Sequence, residues 1–170
     1  MRSALLIVLL LIVGCYLMDN DASANMSLTD KKGDIGKVKL TDTPKGLFVE
    51  VDLKNLPSGE HGFHIHEYGS CEDGTDENGV LQKAFKAGGH FDPKKTGKHL
   101  GPKGKGHKGD LPVLKVDKKG NVKVSFYVPD LMVKEVRERA IIIHEGKDNY
   151  KDTPLPLGGG GKRIACGVIR

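Results

Sequence analysis

The chain has 170 residues, the length of one ordinary domain. It carries 23 glycines, no tryptophan and a formal charge of +5, so its surface leans basic. Basic charge attracts nucleic acid, anionic membranes and small anions alike. Composition alone does not choose among them, although a lysine-rich loop without interleaved aromatics lacks the stacking that single-strand binding uses.

The chain opens with a secretory pattern. Arg2 precedes an unbroken apolar run over residues 4–13, followed by Gly14-Cys15. The run is shorter than the roughly 20 residues that a membrane span needs. It reads as the hydrophobic region of a signal peptide, which predicts export to the periplasm. Two cleavage sites are open. Ile12-Val13-Gly14-Cys15 resembles a bacterial lipobox, with cleavage before Cys15, a lipid on its sulfur and membrane anchoring. Ala22-Ser23-Ala24 is an A-x-A site, which bounds a signal over residues 1–24 and a mature domain over residues 25–170. Cys15 belongs to the signal in either case. Cys71 and Cys166 remain as an even pair, which in an oxidising compartment predicts a disulfide.

Residues 25–36 are polar and read as loosely ordered. Short strand-like runs follow. Residues 38–40 are brief, and Leu47, Val49, Val51 and Leu53 alternate with Phe48, Glu50 and Asp52. A turn at Leu56-Pro57-Ser58-Gly59 leads to the alternating Phe63-His64-Ile65-His66. Residues 113–116 and 122–128 flank a Gly-containing loop and read as a hairpin. Residues 131–139 are the one locally helical stretch, and 140–144 and 164–169 are apolar strands. Evenly spaced short strands with Gly and Pro turns predict an antiparallel sandwich or barrel. Residues 67–111 and 145–163 fit no strand pattern, and long loops of this kind are usually functional.

Histidines concentrate at these loops and strand ends. His64 and His66, two apart on a predicted strand, project from one face, with Phe63 and Ile65 turned to the core. Paired imidazoles suit copper or zinc. His90, His99, His107 and Asp110 offer three imidazoles and a carboxylate, enough for a tetrahedral zinc site. His144 ends an apolar strand, where either a core role or a ligand role is open.

Several motifs together are similar to one family. Gly62-Phe63-His64-Ile65-His66-Glu67, Gly88-Gly89-His90-Phe91-Asp92-Pro93, Thr96-Gly97-Lys98-His99-Leu100-Gly101-Pro102, Gly106-His107-Lys108-Gly109-Asp110-Leu111-Pro112 and Arg163-Ile164-Ala165-Cys166-Gly167-Val168-Ile169 resemble copper/zinc superoxide dismutase of the bacterial periplasmic type. The resemblance runs from about Gly36 to Arg170. It implies an all-β fold, an eight-stranded antiparallel Greek-key barrel (an immunoglobulin-like sandwich) with two long functional loops. It implies dismutation of superoxide to dioxygen and hydrogen peroxide, with one copper and one zinc per subunit. By resemblance, His64, His66, His90 and His144 bind copper, and His90, His99, His107 and Asp110 bind zinc. His90 would be shared between the metals and is catalytic with Arg163, which guides the anion. Asp148 would hydrogen-bond a ligand of each metal, and Cys71–Cys166 matches the family disulfide. His61 has a structural counterpart and is not expected to ligate.

Lys94, Lys95, Lys98, Lys103, Lys105, Lys108 and Lys147 are candidates for substrate steering or for a merely solvated face. No nucleic-acid partner is expected, and either a homodimer or a monomer fits. The competing function is a periplasmic copper or zinc carrier without turnover.

Overall fold

The computed structural model describes residues 20–31 and 33–170. The signal run and Cys15 therefore lie outside the described residues. Among the described residues, and besides two 3-10 turns at Phe85–Ala87 and Pro156–Gly159, eleven strands and one α-helical turn follow in chain order. They are β1 (Asp21–Leu28), β2 (Asp34–Thr43), β3 (Gly46–Leu53), β4 (Gly59–His61), β5 (Phe63–Ile65), β6 (Gly74–Thr75), β7 (Leu81–Gln82), β8 (Leu114–Val116), β9 (Val122–Val128), α1 (Val133–Val136), β10 (Ala140–His144) and β11 (Arg163–Val168).

Alternation in the sequence becomes a curled antiparallel sheet. Seven strands pair in the order β5-β10-β11-β1-β2-β3-β9, and β4 pairs with β8. β4 and β5 are one strand interrupted at Gly62, so the β4–β8 pair continues the curl into an eight-stranded Greek-key barrel. The inward positions of β3 are Leu47, Val49, Val51 and Leu53, all buried, as their period of two requires. They pack with Val38, Leu40, Phe63, Ile65, Ile141 and Ile143 into one core. α1 lies within the stretch that reads as helical, but only one turn forms.

Three expectations are corrected. Residues 25–28 and 34–36 are strand rather than loosely ordered. β1 occupies Asp21–Leu28, and Ala22, Ala24 and Met26 face the core on every second position. Alanine has low strand propensity, so the alternation carried little signal. The strand seen as residues 38–40 extends over ten residues, Asp34–Thr43, because β1 and β3 pair with it on both sides. The hairpin around residues 117–121 keeps its turn, with Asp117 and Asn121 hydrogen-bonded. Its strands part, however, β8 pairing with β4 and β9 with β3. The turn thus crosses between the two sides of the barrel.

Both long loops are pinned. Cys71 is disulfide-bonded to Cys166 on β11, which ties the loop after β5 to the sheet. That loop carries only the two-residue pair β6–β7 as regular strand.

β1 also binds the other end of the chain. Ser23 N–H donates to Arg170 O, and Arg170 N–H donates back to Ser23 O. A chain shortened to begin at Asn25 should therefore lose about 2–4 kcal/mol, from two buried methyl groups and the severed ladder hydrogen bonds. Urea unfolding of the two forms measures this difference.

Candidate metal centre

The core places the histidines. β5 is buried on both faces, with Phe63 and Ile65 in the apolar cluster and His64 turned away from it. Bridges join His64 to Asp110 and His66 to His90, so backbone pairing carries the loop residues to the strand. Gly109 permits this approach, since a Cβ there would lie 2.2 Å from Ile65 O. His144 ends β10 where the register against β11 shifts, an irregularity that re-aims its side chain.

Oxygen acceptors on the outside of the cluster decide which ring nitrogens carry hydrogen. His64 Nε2 donates to Asp148 Oδ2 at 2.7 Å, and His99 Nε2 donates to Asp148 Oδ1 at 2.7 Å. His66 Nδ1 donates to Gly88 O at 3.0 Å, and His144 Nδ1 to Gly161 O at 3.2 Å. Carbonyl and carboxylate oxygens only accept, so each of these nitrogens is the protonated one. The opposite nitrogens then present lone pairs to the interior. His66 Nε2 and His144 Nε2 face each other at 3.4 Å. His64 Nδ1, His99 Nδ1 and His107 Nδ1 are buried with no hydrogen-bond partner. His99 Nδ1 lies 2.9 Å from Asp110 Oδ2 and His107 Nδ1 lies 3.4 Å from Asp110 Oδ1, yet neither contact is aligned as a hydrogen bond. Buried acceptors left facing one another cost free energy unless a cation lies between them.

Two donor sets converge. The ligand atoms of His64, His66, His90 and His144 lie within 4.8 Å of one another, as do those of His64, His90, His99 and Asp110. His64 and His90 are common to both, and the His90 ring centre lies 4.0 Å from that of His64 and 5.2 Å from that of His99. Its Nδ1 faces Asp110 Oδ1 at 2.9 Å. His107 is outside the second set as drawn but touches it through Asp110. Asp148 joins the two sets. Gly158, at φ +73°, makes room for it, because a Cβ there would lie 2.0 Å from Asp148 Oδ1. Asp152 has no sequence motif, yet its carboxylate accepts the His99 N–H at 3.0 Å. His61 stands apart, its Nδ1 facing His144 O and its Nε2 facing Pro57 O.

Arg163 opens β11 opposite His144. Its guanidinium donates to the carbonyls of Ala84 and Gly88, each at 2.6 Å. Gly88 O also receives the His66 Nδ1–H, so the cation is fixed beside that ring. A groove of about 1280 Å³ runs past Arg163, lined by Lys31, Lys83, Lys118, Lys119 and Lys162 and also by Asp30, Asp76 and Glu145. None of these lysines was singled out from the sequence, and Lys83 is paired with Asp73. Of those that were, Lys108 is tied to Glu135 and Lys147 stands 3.6 Å from Glu60.

The electrostatics favour metal binding. Burial lowers His66 and His144 well below the ordinary histidine value, with neighbouring imidazoles and Arg163 adding to it. Burial likewise lowers His90 to about 4, against the pull of Asp110. These rings are therefore neutral at physiological pH, the state in which imidazole ligates. His99 is the exception. Burial alone would lower it, but Asp110 and Asp148 prevail and raise it to about 9. Both carboxylates, despite burial, are held well below the usual range by His90 and His99 at Asp110 and by His64 and His99 at Asp148.

The comparisons agree with this geometry. Residues 34–169 match the family model for copper/zinc superoxide dismutase (SODC). The chain is 45% identical over 174 residues to "Superoxide dismutase [Cu-Zn]" of Escherichia coli K12, covering all of both chains. It superposes on the Cu/Zn superoxide dismutase from Brucella abortus with a TM-score of 0.84 at 42% identity, covering 88% of this chain and 99% of that one. The solution structure of the monomeric copper, zinc superoxide dismutase from Salmonella enterica gives 0.76 at 47% identity, covering 88% and 99%. An all-β barrel with a shared-histidine donor set is thus a metalloprotein of the redox class. The chain belongs to the copper/zinc superoxide dismutase family. It is an oxidoreductase that dismutes superoxide, with copper and zinc as cofactors.

Stripped of metal, the protein should lose stability as pH falls from about 6.5 toward 4. In that window an unfolded His90 binds a proton that the folded one refuses, so the unfolded state gains. His66 and His144 act in the same direction, whereas His99 acts oppositely, its stabilisation being lost as pH rises from about 6.5 to about 9. Urea midpoints across this range, with and without metal, measure the effect, which bound metal should suppress.

Proposed function

We propose that His64, His66, His90 and His144 hold copper and that His90, His99, His107 and Asp110 hold zinc. The observation that carries this is that, of the two histidines common to both sets, His64 has its Nε2 committed to Asp148, whereas His90 turns its Nδ1 to Asp110, the carboxylate of the second set. His107 is assigned to zinc because its Nδ1 is buried, unpartnered and turned to Asp110. The orphaned lone pairs match the donor chemistry of both ions, imidazole for copper and three imidazoles with a carboxylate for zinc.

When bound, copper supplies the one-electron chemistry and zinc, without redox chemistry, steadies the shared ring. The chain's own residues do the rest. Two superoxides and two protons become dioxygen and hydrogen peroxide. His90 Nε2 is the atom that takes up and returns a proton next to the reacting oxygen. Asp148 keeps His64 and His99 in one tautomer, so their lone pairs stay turned inward. Arg163, cationic and fixed by backbone carbonyls, attracts and orients the anion. Lys118, Lys119 and Lys162 of the adjoining groove, which form no ion pair among the described residues, add to that positive field. A carrier without turnover would need neither the shared ring nor a fixed arginine at its mouth.

His90→Ala should abolish nearly all superoxide loss and alter the spectra of both metal sites. Arg163→Glu should slow turnover and reverse its dependence on salt. Wild-type turnover in the first, or an unchanged salt profile in the second, would remove the role assigned.

We also propose that the chain is exported and carries its lipid on Cys15. The support is β1. A cut after Ala24 would discard Ala22 and Ala24, both buried, together with their pairing to Leu40 and Val38. A cut before Cys15 leaves β1 whole. Mass spectrometry of the mature N-terminus should find an acylated Cys15, and a chain starting at Asn25 would overturn this reading.

A further inference from the structure

Three of the histidines in the metal centre have a chain neighbour that reaches one short segment outside it. Lys108 follows His107, Phe91 follows His90 and Glu67 follows His66. Lys108 Nζ donates to Glu135 Oε1 at 2.5 Å, with the two side chains only 26% and 29% exposed. The other Glu135 oxygen accepts the Met132 N–H at 3.0 Å, which fixes the carboxylate at the first turn of α1. Arg139 lies over the face of Phe91, 3.8 Å from the ring centre. Its fork donates to Glu67 O, and its Nε donates to Glu135 O at 2.7 Å. Glu135 and Arg139 are thereby joined to each other as well as to the three arms.

The other lysines of the metal loop behave differently. Lys94, Lys95, Lys98, Lys103 and Lys105 are exposed, and among the described residues they form no ion pair. Lys108 is the exception, and it sits between His107 and Asp110. Behind the arms, Phe91 N–H donates to Ile65 O, Gly109 N–H to Phe91 O and Ile65 N–H to Gly109 O. A displacement of Phe91 or Lys108 therefore passes directly to the backbone beside His66, His90, His107 and Asp110. The segment that bears the arms is itself anchored, with Val133 and Val136 fully buried.

We propose that Glu135 and Arg139 are positioning residues, which hold the backbone beside His107, His90 and His66 in register through Lys108, Phe91 and Glu67. The two arms divide the centre. The Lys108–Glu135 pair acts on the zinc side, and Arg139 acts on the shared ring and the copper side. The inference rests on the assignment of His107 to zinc, and His107→Ala tests that assignment separately through the Co(II) spectrum.

The experiment uses protein loaded with copper and with Co(II) in the zinc position. It reads the visible Co(II) absorption, the rate at which a chelator withdraws Co(II), and the Cu(II) resonance spectrum. Glu135→Gln keeps the bond to Met132 and removes the charge that Lys108 meets. It and Lys108→Met should each speed Co(II) loss about tenfold, the scale at which groups behind metal ligands act. The double variant should be no faster than either single one, because both remove the same contact. The Cu(II) spectrum should stay as in wild type. Arg139→Leu should shift the Cu(II) spectrum, and Phe91→Leu reads the same contact from its other side if the first variant does not fold. Val49→Ala, a core change on β3, serves as the control for general loosening. Unchanged Co(II) release in both zinc-side variants, or an equal acceleration in Val49→Ala, would overturn the proposal.

Discussion

Everything in the centre depends on turning several imidazole lone pairs inward at once. A neutral imidazole has one N–H and one lone pair, so its orientation is decided by what the N–H meets. Here each N–H of His64, His66 and His144 meets an oxygen on the outer side, and the lone pairs are left facing a common interior, whereas His99, raised to about 9, offers its Nδ1 lone pair only after that nitrogen gives up its proton. Without a cation this arrangement is unfavourable, because buried acceptors then face acceptors. The barrel supplies the stability that holds it. Its apolar interior is continuous from β1 to β11 and does not include the ligands.

Two carboxylates manage the charge. Asp110 contributes an oxygen among the lone pairs, whereas Asp148 accepts N–H groups from behind. Both are held ionised by the same histidines they contact. Four imidazoles are kept neutral mainly by burial, and only His99, between both carboxylates, is raised. The cationic component sits at the edge, in Arg163 and the lysines of its groove. Neutral ligands inside and fixed positive charge outside suit a small anionic substrate that must arrive quickly and leave.

Much of the candidate site was legible in the sequence because its donor residues lie in compact motifs. His64 and His66 share a strand face, and His90, His99, His107 and Asp110 lie in a glycine-rich loop, where convergence is sterically cheap. Asp152, Glu135 and Arg139 were not legible. Each is joined to the histidine loops by contacts across a large sequence separation, which leave no local periodicity. β1 escaped notice for another reason. Its buried face is Ala22, Ala24 and Met26, and alanine weakly distinguishes strand from loop.

By itself, the sequence determined the donor types, their spacing, the cysteine pair and the strand periodicity, since each of these is a property of neighbouring residues. Only the tertiary structure decided which nitrogen of each ring faces inward, because that choice depends on acceptors such as Asp148, Gly88 and Gly161 brought in from distant segments. It also decided which lysines border Arg163 and which is tied down at Glu135. Charge along a chain says how many cations there are, whereas the fold sets the distances on which their interaction depends.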